Sequence, residues 1–195
     1  MNISLSSVFD LARFTVQNPR AAARSVLNLG VPHSARWQLL CLVAAGSALL
    51  THVSFTMLPA GAEKDMLAPA MAMPLVTAVL QVGFLFLVVV CVDRIGRWQG
   101  GHGTFADALL LVGWLQIVLL FLQFAQVLTF LTLPILAEAL GVIGIVLAFW
   151  LLTQFIVELH GFKSSWRVFF AILAVIFGLA ILLSIGWSTL IGAGV

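Results

Sequence analysis

The chain has 195 residues, of which 63% are hydrophobic and 8% charged, with a formal net charge of +2. A soluble domain carries about 25% charged residues because its surface faces water. This composition therefore excludes a water-soluble globule and makes lipid the solvent for most of the chain. No Lys/Arg block is present to hold nucleic acid, and Cys41 and Cys91 each sit alone in an apolar run, reading as small hydrophobes of lipid-facing or packed helices and not as a disulfide framework or zinc site.

In chain order, residues 4–29 read as two short amphipathic helices. Leu5, Val8, Phe9, Ala12 and Val16 share one face of the first. The second opens on Asn18-Pro19, a capping residue followed by proline at the first helical position, and stops at Gly30 and Pro32. A basic amphipathic segment beside a membrane span lies on the leaflet surface, so Arg13, Arg20, Arg24 and Arg36 are candidate membrane-surface contacts. The alternative is that these helices pack over the end of the bundle. Residues 1–36 are accordingly expected to form a cytoplasmic amphipathic segment, and residues 37–195 a transmembrane domain.

A span needs about 20 apolar residues. Residues 37–62, 66–92, 108–137, 139–157 and 168–195 carry no Asp, Glu, Lys or Arg. The stretch 108–157 is too long to cross once, and Pro134 and Glu138 near its middle place a hairpin there. The expected fold is all-α: a polytopic bundle of five spans at about 37–58, 72–92, 105–131, 136–157 and 166–190. No run alternates with period two, which argues against a β-barrel. No internal repeat is visible, which weakens a transporter reading.

With five spans, Arg13, Arg20, Arg24, Arg36, Arg94, Arg97, Lys163 and Arg167 fall on one side and Lys64 alone on the other. The positive-inside rule makes that basic side cytoplasmic, with the N-terminus inside and the C-terminus in the periplasm. Trp37, Trp98 and Trp166 are expected at the cytoplasmic interface and Trp187 at the outer one, whereas Trp114 and Trp150 are expected to pack within spans.

Inside the spans, small and polar residues recur at helical spacing. Gly113, Gln116, Gln123, Gly141, Gly144, Ala148 and Gly178 are the candidate helix-packing positions, since small residues let membrane helices approach and Gln bonds across them. A polar pathway is the sharper alternative, with His52 the nearest titratable candidate. Other titratable groups gather at the cytoplasmic ends as a candidate polar cluster of Asp93, Arg94, Arg97, His102, Asp107, Glu158, His160, Lys163 and Arg167. Its His and acidic members lack recognised metal-ligand spacing, and no metal or other cofactor is expected. Glu158 needs a basic partner, and Arg94 or Arg97 is the expectation. The glycine-rich loop 99–104 lacks the Gly-Lys-Ser/Thr ending of a phosphate loop and reads as a turn that Thr104 closes by capping the third span.

Three segments carry a resemblance: residues 10–20 (DLARFTVQNPR), 96–105 (GRWQGGHGTF) and 150–162 (WLLTQFIVELHGF). With the five-span plan they resemble the bacterial branch of the Yip family, the Rab-GTPase-interacting membrane proteins, over residues 10–190. The resemblance implies a five-helix bundle with a cytoplasmic N-terminus. Eukaryotic members act in membrane trafficking with prenylated Rab proteins. The Asp-Leu-Tyr-Gly-Pro motif of those members is absent here, and that role is not carried over. The functional expectation is a non-enzymatic scaffold or adaptor of a bacterial inner membrane, since no nucleophile–base constellation is visible. It would bind other integral membrane proteins or itself, or shape the bilayer. The alternative is a small channel or transporter component acting as an oligomer.

Overall fold

The computed structural model describes residues 5–192 apart from Pro59 and Ala72; the side chain of Trp187 lies outside the described residues. Eight helices follow one another: α1 (Leu5–Gln17), α2 (Pro19–Leu27), α3 (His33–Met57), α4 (Ala62–Met71), α5 (Pro74–Trp98), α6 (Phe105–Phe130), α7 (Pro134–His160) and α8 (Ser165–Gly192). No strand occurs among the described residues. Proline at the first turn opens α2, α5 and α7, where its missing N–H costs nothing. The Thr104 side chain accepts from the Asp107 backbone N–H to cap α6, and α7 ends on Gly161 in the left-handed conformation (φ 71°), which favours glycine.

Helices α3, α5, α6, α7 and α8 are long and apolar enough to cross a membrane. Most overrun the expected spans. Thus α5 continues through Asp93, Arg94 and Arg97 to Trp98, because these charges end the apolar run without ending the helix, arginine being a good helix former. One element was not anticipated. The connection after the first span contains the short helix α4, with Pro69 inside it.

Helix α6 is the central post. Half of its apolar window is buried, against 22% or less in the other four. One core joins Leu40 and Val43 of α3, Leu85 and Val89 of α5, Val112 of α6 and Ile156 of α7. A second joins the amphipathic helices to the bundle: Ala12 of α1 and Ala23 and Val26 of α2 pack with Leu110 and Trp114 of α6 and Phe155 of α7. α8 rests on α7, at the edge of the bundle.

This second core changes the picture of the N-terminal segment. α1 docks lengthwise along α6 instead of lying free of the bundle on the leaflet. Trp114 Nε1 donates to Thr15 Oγ1 at 3.0 Å, and Phe9 meets Phe121 edge-on at 5.8 Å between ring centroids. Phe121 lies about 24 Å along α6 from its start, so α1 descends beside the bundle. Phe9 and Val16 remain exposed. We call the end of the bundle that carries α2, the 99–104 loop and the α7–α8 turn the collar end, and the opposite end the far end. The two interior tryptophans differ: Trp114 is buried, whereas Trp150 is 39% exposed and does not pack as expected.

Candidate functional site

The collar end gathers most of the polar chemistry, and the structure divides the expected cluster into separate arrangements. The most enclosed is built on His160, the last residue of α7, which is 2% exposed. The Gly103 backbone N–H donates to its Nδ1 at 3.1 Å. Since Nδ1 accepts, Nε2 carries the proton and donates to the Val92 carbonyl at 3.0 Å. The ring also stacks on Phe162. One neutral imidazole thus ties α7 to α5 and to the 99–104 loop.

Three glycines make room for it. A Cβ on Gly96 would run into the imidazole, one on Gly101 would come within 2.5 Å of it, and one on Gly103 would meet Leu159 at 2.6 Å and His160 at 2.7 Å. Adjacent contacts at such distances force displacement of a well-packed ring. The loop is therefore glycine-rich to admit a side chain of this protein, beyond making a turn.

Beside it, Asp93 is 2% exposed. Its Oδ2 pairs with Arg97 Nη2 at 2.6 Å and, more loosely, with Arg94 Nε at 3.9 Å. Its Oδ1 is buried with no partner among the described residues. Arg97 is thereby held by an acid one turn back on its own helix.

That is why the expected partner of Glu158 is wrong. Glu158 Oε1 pairs with Arg24 Nε of α2 at 3.1 Å, not with Arg94 or Arg97. The fully buried Ala22 and Ala23 let α2 lie close against the bundle. From the same helix, Arg20 donates from Nε to Gln154 Oε1 and from Nη2 to Ser165 Oγ, both at 2.7 Å. Arg36 bonds Asp107 Oδ1 at 2.9 Å and the Val31 carbonyl at 2.9 Å, while Thr104 Oγ1 donates to Asp107 Oδ2 at 2.6 Å.

Among the four arginines expected at the membrane surface, Arg20 and Arg36 are thus turned into the protein. Arg24 keeps a 64% exposed side chain while it pairs with Glu158. Arg13 is exposed and has no carboxylate partner among the described residues. His102, Lys163 and Arg167 are likewise exposed and outside every ion pair among the described residues.

The packing positions also divide. A Cβ on Gly113 would meet Leu39 at 3.0 Å, one on Gly141 the Gln126 amide at 2.9 Å, and one on Gly144 Leu122 at 3.3 Å. Gln123 bonds α3 through Thr51 Oγ1 at 3.1 Å and accepts from Ser47 Oγ at 3.1 Å. Gly178 meets nothing within 4 Å, because α8 is peripheral, and Gln116 and Ala148 line a groove beside α8. His52 Nδ1 is buried without a partner among the described residues.

No group of three or more His, Cys, Asp or Glu among the described residues is placed to hold a metal. The arrangement joins helices: His160, Asp107, Glu158 and Arg20 each bond a different element. Five helices long and apolar enough to cross a membrane define a multi-pass membrane protein. The family model described as the Yip1 domain matches residues 14–185. The chain belongs to the Yip family of membrane proteins. Comparison with curated proteins and with solved structures returned no match.

Proposed function

We propose that this Yip-family protein is a non-enzymatic scaffold of a bacterial inner membrane that binds other integral membrane proteins and shapes the bilayer around it. The observation that carries this reading is the collar. Helices α1 and α2 are bound to the bundle at one end by Thr15, Arg20, Arg24 and a shared apolar core. They widen the protein from the collar end along α6, with Phe9 and Val16 still exposed, apolar surface of the kind an amphipathic wedge presents to lipid. His160, Asp107 and Glu158 beside them join helices, a use suited to a rigid platform. The outer helices keep broad apolar faces, with Leu80 and Phe84 of α5 and Phe177 of α8 among the exposed residues, available to lipid or to the helices of a partner.

The orientation belongs to the same proposal. Eight of the nine Lys/Arg fall in elements of the collar half, so the positive-inside rule makes that end cytoplasmic. Single cysteines at Lys64 and Lys163, in a cysteine-free background, should label from opposite faces of intact cells, Lys64→Cys from outside. Purification in mild detergent should recover one stoichiometric complex with a defined membrane protein, and crosslinkers on α5 or α8 should capture that same protein. Solute flux through vesicles of the pure protein would overturn the scaffold reading and favour a channel.

A further inference from the structure

A cavity of about 330 Å³ lies between α5 and α8, floored by α6 and α7. Its walls are almost wholly apolar, with Leu85, Val88, Leu152, Ile172 and Val175 among them. On α5 it extends from Phe84 to Gly96, about 18 Å of helix. On α8 it extends from Val168 to Leu179, about 16 Å. One leaflet of hydrocarbon is about 15 Å thick, so the cavity has the depth of a single leaflet and begins at the collar end. It is a groove open at the side, since its edge residues Phe84, Leu87 and Ile176 are 60%, 42% and 44% exposed.

The mouth has a different character. Each wall residue at the collar end is a chain neighbour of a cation or a tryptophan. Gly96 and Gln99 bracket Arg97 and Trp98; Phe162 precedes Lys163, and Val168 follows Arg167. Trp98 is 86% and Trp166 72% exposed, as residues at a headgroup boundary are. Lys163 and Arg167 are in no ion pair among the described residues, and the Arg94 side chain is 77% exposed despite its loose contact with Asp93. Asp93, the acid nearest the mouth in sequence, is buried against Arg97.

We propose that this groove is a binding site for one anionic phospholipid. An acyl chain lies between α5 and α8, and the phosphate-bearing headgroup meets Lys163 and Arg167. An acyl chain matches the groove in polarity, in length and in lateral access from the bilayer. The cationic mouth adds the preference for negative charge. The groove borders the His160 arrangement through Val92, Gly96 and Phe162, but it does not depend on the scaffold reading.

The test uses the full chain, delipidated in detergent and titrated with dioleoyl phosphatidylglycerol or dioleoyl phosphatidylcholine while thermal unfolding is followed. Phosphatidylglycerol should raise the midpoint and saturate at one lipid per chain, and phosphatidylcholine should do so only weakly. The variant with Lys163→Gln and Arg167→Gln, both at exposed positions, should bind phosphatidylglycerol about 30-fold more weakly. Val175→Trp, which fills the groove, should abolish the shift, whereas Arg13→Gln should leave it intact. Glycerol phosphate, a headgroup without a chain, should have no effect. Equal responses to the two lipids, or an undiminished response in both groove variants, would overturn the proposal. So would a disulfide crosslink between two copies through Phe84→Cys with no lipid effect, which would give the groove to a second copy.

Discussion

At the collar end the helices are joined by bonds with direction: His160 to α5 and the 99–104 loop, Asp107 to α3 through Arg36, Glu158 to α2 through Arg24. Toward the far end α7 meets α6 at Gly141 and Gly144, where small size permits approach. The Gln123 bonds to Ser47 and Thr51 are the main directional link there between α3 and α6 among the described residues. The contrast shows two ways of building in lipid. Small residues permit closeness on the face that carries them but supply no bond, whereas a donor and an acceptor specify one register. The collar end is thus where the relative rotation of α2, α3, α5 and α7 is set.

The sharpest way to break this contrast is to fill the cage around the imidazole. Gly96→Ala should lower stability in detergent by about 1–3 kcal/mol through overpacking. His160→Ala should cost about 2–5 kcal/mol, because it leaves a cavity in place of a buried ring and the Gly103 N–H without its acceptor. The double variant should lose clearly less than the sum, since the methyl then occupies vacated space. Additive losses in thermal or denaturant unfolding would mean that the glycine and the histidine act independently.

A smaller effect separates the two arginines that follow Asp93. Arg97→Gln removes the 2.6 Å partner of a buried carboxylate and should cost about 1–3 kcal/mol. Arg94→Gln, at 3.9 Å and largely exposed, should cost under about 1 kcal/mol. Equal losses would show that the carboxylate is held by the summed charge and not by one bond.

The smallest effect belongs to the periphery. Gly178→Ala on α8 adds a methyl where nothing lies within 4 Å. It should be neutral or stabilise by up to about 1 kcal/mol through helix propensity. A marked loss would reveal a close neighbour of α8 in the membrane, such as a second copy.

The five spans were legible because each is an uncharged apolar run, and Pro134 with Glu138 marks the hairpin between two of them. The cap at Thr104 and the starts at Pro19, Pro74 and Pro134 follow local rules that need no tertiary knowledge. Helix α4 was missed because its ten residues carry Glu63, Lys64, Asp65 and Pro69, a composition that also suits a loop. The partner of Glu158 was missed for a different reason. On sequence alone Arg24 reads as a membrane-surface contact and Arg94 or Arg97 as the partner; the observed pair depends on α2 lying along α7, which no periodicity in either helix encodes. The cage around His160 left one readable trace, glycines at 96, 101 and 103, but their common target lies more than fifty residues further along the chain.

The docking of α1 and α2 also sets an order of events during synthesis. Thr15 waits for Trp114, 99 positions later, and Arg20 for Gln154 and Ser165, 134 and 145 positions later. At about 5–20 residues per second, the first helices made remain without their partners for many seconds. Helix α1 meets Trp114 once the third span is made, and α2 meets Gln154 and Glu158 only after the fourth has been delivered. The beginning of the polypeptide is thus the last part to be seated, and its seating reports that the spans before it have arrived in the right arrangement. A chain truncated after the third span would leave Arg20 and Arg24 of α2 without Gln154, Ser165 and Glu158, a ready signal for quality-control proteases of the membrane.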